Sequence, residues 1–160
     1  MATQNNNLSD YDKSNLPNVS NMRFGIVVSQ WNNDITDGLY KGAYNTLLDC
    51  GVSEENILKL EVPGSFELIY GTKILHKRNC DAIICLGSVI QGETKHFDYV
   101  CQGVTNGIKD LNIALDIPVI FGVLTDNTKE QAINRSGGIH GNKGVEAAVT
   151  AIKMADLNRN

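Results

Sequence analysis

The 160-residue chain has few of the features that mark membrane, secreted or nucleic-acid-binding proteins. Its longest apolar runs, such as residues 82–86, are far too short to cross a bilayer. It opens with Met-Ala-Thr-Gln-Asn-Asn-Asn, without the basic and apolar segments of a signal peptide. The net charge is −4 and no basic stripe is present. We therefore expect a cytoplasmic protein that binds neither nucleic acid nor a membrane.

Metal-ligand and disulfide patterns are also missing. No two cysteines form a C-x-x-C pair, and the histidines share no ligand spacing. Free thiols that pack as small apolar side chains are therefore predicted, without a metal. The residues concerned are Cys50, Cys80, Cys85 and Cys101, with His76, His96 and His140.

What the chain does contain is an alternation of apolar strands and amphipathic helices. Residues 1–20 are rich in Asn, Ser and Asp and predict a mobile N-terminal arm, followed by one domain over residues 21–160. Strands are predicted at 24–28, 57–62, 82–86 and 118–124. Helices are predicted near 34–50, 66–77, 128–135 and 143–157, and a further helix carries apolar residues from Val100 to Leu115 on one face.

This order predicts an α/β protein, a three-layer α/β/α sandwich around a four-stranded parallel sheet of flavodoxin-like architecture. In such sheets ligands bind outside the carboxyl ends of the strands. The candidate loops are therefore residues 29–34, 62–67, 87–96 and 124–128.

The loop at residues 87–96 resembles a phosphate-binding turn. Gly87 and Gly92 have the glycine spacing of a nucleotide-binding P-loop, but Glu93 stands where the phosphate-binding lysine would be. A nucleoside triphosphate is thus disfavoured, whereas a monophosphate suits backbone amides at a helix N-terminus near Glu93 and Thr94. Alternatively, Thr94 simply caps its helix.

Four single residues are candidates for binding or proton transfer. His96, predicted one turn into the helix, can transfer protons because an ordinary histidine side chain has a pKa of about 6.5. Trp31 can stack on a planar heterocycle, and the Glu67 carboxylate can bind sugar hydroxyls. Arg135 can hold a phosphate through its guanidinium. Taken singly, each is also explained as a surface, rim or helix-terminal residue.

Together these residues, in this order, resemble the lumazine synthase family. The matching segments are VSQWN at 28–32, VPGSFE at 62–67, LGSVIQGETKHFDYV at 86–100, PVIFG at 118–122 and GNKG at 141–144. The resemblance extends from Arg23 to the C-terminus. It implies a cofactor-free transferase that condenses 5-amino-6-(D-ribitylamino)uracil with 3,4-dihydroxy-2-butanone 4-phosphate, giving 6,7-dimethyl-8-ribityllumazine, phosphate and water for riboflavin biosynthesis.

The resemblance also implies a role for each site residue. His96 would move protons. The uracil and ribityl chain would contact Trp31, Asn32, Ser65, Phe66, Glu67, Ser88, Val89 and Ile90, with Phe121 supplied by a neighbouring subunit. The phosphate would contact Glu93, Thr94, Arg135 and Lys143. Three positions in the matching segments depart from the commonest family pattern, with Trp31 in place of phenylalanine, Ser65 in place of alanine and Gln91 in place of a basic residue.

Family members form pentamers, and some build icosahedral shells. The turn at residues 137–144 carries no insertion, which favours a shell, and riboflavin synthase is a candidate partner. Two other interpretations remain open: a flavin-binding module with the same sheet, which would give His96 no task, and a scaffold protein without activity.

Overall fold

The computed structural model describes residues 7–159. The helices are α1 (Asn33–Asp49), α2 (Leu68–His76), α3 (His96–Ala114), α4 (Lys129–Arg135) and α5 (Lys143–Arg159). The strands are β1 (Phe24–Ser29), β2 (Ile57–Val62), β3 (Ala82–Ile90), β4 (Val119–Asp126), β5 (Ser136–Gly138) and β6 (Gly141–Asn142).

The main sheet has the order β2-β1-β3-β4, and every pairing in it is parallel. One apolar core joins a face of the sheet to α1 and α5, and a second joins the opposite face to α2 and α3. Both faces of β1 are therefore covered, which explains its unbroken burial from Phe24 to Ser29. The predicted three-layer α/β class with a four-stranded parallel sheet is confirmed.

The third strand is longer than its apolar run indicates. Residues 87–90, predicted as part of a loop, belong to β3 because β4 also continues and pairs with them as far as Ile90 opposite Asp126. The connection to α3 is consequently only residues 91–95. The helix begins at His96 itself, so the prediction that His96 lies one turn inside the helix was wrong.

The predicted break at residues 136–138 is the first strand of a small antiparallel hairpin. Its pairing with β6 was not predicted. Gly137 and Gly141 have φ of +130° and +82°, a region that favours glycine. The Asn142 side chain joins this hairpin to α1 and α5, since its Nδ2 donates to the carbonyls of Gly38 (2.8 Å) and Ser136 (3.1 Å) and its Oδ1 accepts from Gly144 N (2.8 Å).

The segment before β1 contacts the domain. Leu8 N donates to His140 O (2.9 Å), the Tyr11 hydroxyl donates to Asp49 (2.8 Å), and Val19 is fully buried. Burial, followed by the bond to Asp49, raises the pKa of Tyr11 to about 12. Residues 1–6 of the predicted arm lie outside the described residues, and the mobility of residues 1–20 stays a prediction.

Candidate active site

The first two candidate loops are joined through their backbones. Gln30 N donates to Val62 O (2.8 Å), and Trp31 N donates to Pro63 O (3.1 Å). The Trp31 side chain is left 71% exposed beside the carboxyl ends of β1 and β2. The indole is therefore open to a planar ligand, while the loop that carries it is fixed by main-chain hydrogen bonds.

Asn32 connects the first loop to the third strand. Its φ of +58° is left-handed, a conformation that asparagine tolerates better than most residues. Its Nδ2 donates to the carbonyl of Ser88 at 3.0 Å. In this structure the Asn32 amide thus fixes the start of α1 against β3.

Residues 65–67 form the wall between β2 and α3. Ser65 is buried, and its Oγ would lie 2.7 Å from a Cβ added at Gly87, so a side chain at residue 87 would displace it. The half-exposed Phe66 ring packs over Gly103 of α3. Glu67 is exposed at the start of α2, and its carboxylate makes no capping hydrogen bond within residues 7–159.

The last residues of β3 form the floor of the site. Ser88 is buried, whereas Val89 and Ile90 are half-buried. Across the described chain, the Ser88 hydroxyl finds no hydrogen-bond partner. Because β3 extends to Ile90, residues 88–90 are held in place by strand pairing and do not belong to a loop.

The short connection before α3 has the character of an anion site. Gln91 N donates to Asp126 O (2.9 Å), which ties the connection to the end of β4. Glu93, Thr94 and the His96 side chain are exposed. Thr94 Oγ accepts from His96 N only at 3.4 Å, and a 19-residue helix follows with its positive end at this position. The backbone amides of Glu93 and Thr94 and the residue that carries the imidazole thus belong to one exposed turn.

The two predicted phosphate-binding cations flank the β5–β6 hairpin. Arg135 is the last residue of α4, is half-buried, and makes no hydrogen bond or ion pair with the described residues. Lys143, the first residue of α5, is paired with Glu146 at 2.5 Å. Arg135 is therefore available to an anion, whereas Lys143 would have to leave or share its carboxylate partner.

Phe121 lies far from Trp31 in the same chain. It is 36% exposed on the edge strand β4 and pairs in register with Cys85, which pairs with Val27. Trp31 follows Val27 by four residues and is two strands away, so at about 3.3 Å per residue and 4.8 Å per strand their backbones are roughly 16 Å apart. Within one chain Phe121 does not join the pocket of Trp31.

Asp126 was not singled out from the sequence, although the loop at residues 124–128 was. It ends β4 with only 7% of its surface exposed. Burial raises the pKa of its carboxyl, and the nearby Arg135 guanidinium acts in the opposite direction. In the sequence, a lone aspartate after an apolar strand looks like an exposed turn residue. Only the structure shows that Asp126 is buried at the end of β4.

The cysteines are free, and burial raises the pKa of the Cys80 thiol to about 11 and that of Cys85 to about 12. Cys50 and Cys101 are half-buried. Across residues 7–159, no group of three or more His, Cys, Asp or Glu side chains is arranged to hold a metal ion, and no helix is long and apolar enough to span a membrane.

The fold defines an α/β protein with an open parallel sheet, and the candidate site residues lie towards the carboxyl edge of its strands. Residues 21–159 match the family model described as 6,7-dimethyl-8-ribityllumazine synthase. The chain belongs to this family, so the resemblance inferred from the motifs is confirmed.

Three relatives carry the same name. The protein of Flavobacterium johnsoniae is 65% identical over 160 residues, covering 99% of this chain and 84% of its own. That of Christiangramia forsetii is 62% identical and covers 99% and 96%. That of Porphyromonas gingivalis is 55% identical and covers 99% of each chain. The likeness therefore extends over essentially the whole chain.

Proposed function

We propose that the chain catalyses the condensation of 5-amino-6-(D-ribitylamino)uracil with 3,4-dihydroxy-2-butanone 4-phosphate to form 6,7-dimethyl-8-ribityllumazine. Its family membership over residues 21–159 is the observation that carries this proposal. The arrangement at the sheet edge supports it, since this edge carries an exposed aromatic ring, a helix N-terminus and an arginine that has no hydrogen-bond or ion-pair partner among residues 7–159.

The uracil substrate is assigned to the side of β1 and β2. The exposed Trp31 indole stacks on the pyrimidine ring, and the Glu67 carboxylate accepts hydrogen bonds from ribityl hydroxyls. Both assignments use side chains that make no hydrogen bond to the described residues. Residues 65–66 and 88–90 supply the walls and main-chain groups, with Asn32 beside them.

The butanone phosphate is assigned to the start of α3. The amides of Glu93 and Thr94 bind its oxygens, where the helix dipole favours negative charge. Arg135 supplies the balancing positive charge, and Lys143 contributes once it leaves Glu146. Because Gln91 is uncharged, Arg135 is the principal cation of this site.

The reaction needs positioning and proton transfer more than a cofactor. The uracil diamine is already a nucleophile, the first imine forms with loss of water, phosphate is a competent leaving group, and ring closure releases a second water. Orientation of two substrates can supply roughly 7–11 kcal/mol of the barrier. His96 lies beside the phosphate amides and transfers protons during imine formation and phosphate elimination.

The proposed active site is shared between subunits of a homo-oligomer, a pentamer that assembles further into an icosahedral shell. Phe121 is too far from Trp31 to complete the same pocket, which supports its donation to a neighbour. Large apolar side chains of α2 and α3 are also exposed, and partner subunits commonly cover such surfaces. These side chains are Tyr70, Ile74, Tyr99 and Ile113. Cytoplasmic location and a partnership with riboflavin synthase stay predictions.

The function is tested by mixing the purified protein with both substrates and following lumazine fluorescence. We expect formation well above the spontaneous rate, without added metal or cofactor. A rate equal to the spontaneous one would contradict the proposed enzyme activity and favour a scaffold protein without activity. A yellow protein that responds to reduction and gives no turnover would favour the flavin-binding module.

The shared site is tested by co-expressing His96→Ala and Phe121→Ala chains, each of which has impaired sites on its own. If Phe121 comes from a neighbour, random mixing in a closed ring gives about a quarter of the pockets an intact residue of both kinds. We expect activity clearly above that of either variant alone. No recovery in confirmed mixed assemblies would place Phe121 and His96 in the same subunit's pocket. Sedimentation that shows only pentamers or decamers would reject the shell.

A further inference from the structure

Ser65 carries a hydroxyl group that the fold does not use. A serine just before a helix commonly accepts a hydrogen bond from an amide of the first turn through its side chain. Here Leu68 N donates to the main-chain carbonyl of Ser65 at 3.3 Å, and α2 begins without a side-chain cap. The Ser65 Oγ makes no hydrogen bond to any of residues 7–159. Local structure therefore does not account for this hydroxyl.

The hydroxyl is buried without being sealed off. Only 6% of the surface of Ser65 is exposed, and buried polar groups normally have a hydrogen-bond partner. Within residues 7–159, the fully enclosed side-chain atoms that lack a partner belong to His76, Ser88 and Asp126. The Ser65 Oγ is not one of them, so it keeps some contact with solvent. A ligand can therefore reach it and satisfy it.

The Ser65 Oγ lies against the third strand of the main sheet. Ile83 and Cys85 belong to the core shared with α2 and α3, and side chains alternate along a strand, so residue 87 faces the same side. Gly87 has no side chain, and the Ser65 Oγ lies only 2.7 Å from the position that a Cβ would take there. The hydroxyl thus borders β3 immediately before residues 88–90.

The turn that carries Ser65 crosses the end of β1. This strand lies between β2 and β3 in the sheet. The turn leaves β2 where Trp31 N donates to Pro63 O, and it reaches β3 at Gly87. The hydroxyl therefore lies between the loop that carries the exposed indole and the strand end that we assign to the uracil.

Glu67 occupies the outer part of the same turn. It is exposed, and its carboxylate lies against Gly64 rather than against β3. Ser65 is the deeper of the two polar side chains. A flat ring between Trp31 and β3 would meet the Ser65 hydroxyl, whereas a polyol chain that extends outwards would meet the Glu67 carboxylate.

We propose that the Ser65 hydroxyl hydrogen-bonds the heteroatom edge of the pyrimidine ring and is a specificity-determining group for the uracil substrate. A serine hydroxyl can donate to a ring carbonyl or accept from a ring N–H. A ligand with an apolar edge would leave the hydroxyl unpaired and would bind less well for that reason. This inference rests on the proposed condensation and adds one side-chain contact to its uracil site.

Replacing Ser65 by alanine tests the contact, because it removes the hydroxyl and introduces no new polar group. One hydrogen bond between neutral groups changes affinity by roughly three- to tenfold. We expect the calorimetric dissociation constant of the uracil substrate and its KM to rise by that factor in the Ser65→Ala variant. The KM of the butanone phosphate should be unchanged, since we assign that substrate to the start of α3.

An analogue of the uracil substrate separates the ring from the ribityl chain. In this analogue an unsubstituted alkyl chain replaces the ribityl group, so the polar edge of the ring is retained. We expect Ser65→Ala to weaken binding of the analogue by the same factor as binding of the substrate. If the effect disappears with the analogue, the hydroxyl binds the ribityl chain and the assignment to the ring is overturned.

Thr46→Val provides the matched control. It removes another buried hydroxyl, one that donates to Gly42 O within α1 at 2.8 Å. We expect a lower Tm and an unchanged dissociation constant for the uracil. Equal weakening of uracil binding in both variants would make the effect a general consequence of losing a buried hydroxyl and would overturn the inference.

Ser65→Cys serves if the alanine variant does not fold, because a thiol is of similar size and is a weaker hydrogen-bonding group. We expect it to weaken uracil binding as well. Affinity equal to that of the wild type would contradict the assigned contact.

The outcomes separate this inference from the function on which it rests. If the wild type forms lumazine and the Ser65→Ala variant binds the uracil equally well, only this inference fails. An equal rise in the KM of both substrates would mean a change in the site as a whole and would also overturn it. If the wild type neither forms lumazine nor binds the uracil, the proposed function fails and this inference fails with it.

Discussion

Replacing His96 by alanine is expected to slow lumazine formation by about 10²–10⁴-fold, the usual contribution of a positioned proton-transfer group. The imidazole lies at the first residue of α3, next to the amides that we assign to the phosphate. Its loss should leave the walls formed by β1, β2 and β3 intact, so substrate binding is retained. Single-turnover fluorescence and the KM of each substrate measure the two effects separately.

A matched control for this experiment is His140→Ala. His140 is an exposed histidine whose backbone carbonyl, rather than its ring, contacts the chain at Leu8. Its replacement should leave the rate of lumazine formation unchanged. Complete loss of activity on His96→Ala would require a role beyond proton transfer, and a change of less than about threefold would remove His96 from the mechanism.

Replacing Gly144 by alanine is expected to cause the largest loss of stability. A Cβ at this position would lie only 1.9 Å from the carbonyl oxygen of Leu39, because α5 begins directly against the α1 backbone. Neither group is the end of a flexible side chain, so the helices must separate. Overpacking of this kind costs about 3 kcal/mol, which for a chain of this length lowers Tm by roughly 6–12 °C.

Lys153→Ala provides the comparison for Gly144→Ala. Lys153 lies in the same helix as Gly144 but is exposed, so the Tm of the Lys153→Ala variant should stay within about 2 °C of that of the wild type. Thermal unfolding followed by circular dichroism at one protein concentration measures both. If Gly144→Ala unfolds at the wild-type temperature, the close approach of α1 and α5 is not maintained in solution.

The main sheet and most helix positions could be predicted because their physical signals are local. Ile35, Leu39, Ala43 and Leu47 recur every four residues, and all four are buried in α1. The ends of α1, α2, α4 and α5 lie within two residues of the predicted ones, whereas α3 begins about a turn later than predicted. The extension of β3 through residues 87–90 was missed because its glycine and serine look like loop residues, and only pairing with β4 makes them a strand.

The site was less predictable where it depends on contacts between distant segments. Trp31, Thr94, His96 and Arg135 could be proposed as site residues because each lies near a recognisable end of a strand or helix. Asp126 could not, since its burial and missing hydrogen bond arise only when β4 and α4 pack together. The β5–β6 hairpin was missed for the same reason, because it is held by one asparagine that reaches both α1 and α5.

The hydrogen bond from Trp31 N to Pro63 O has a consequence for how such a pocket evolves. The loop is fixed by a backbone N–H group, which every amino acid except proline possesses, and the indole takes no part in this hydrogen bond. The backbone path is thus independent of which aromatic ring residue 31 carries. Lineages can exchange tryptophan and phenylalanine there, altering the stacking area offered to a heterocycle without re-forming the loop.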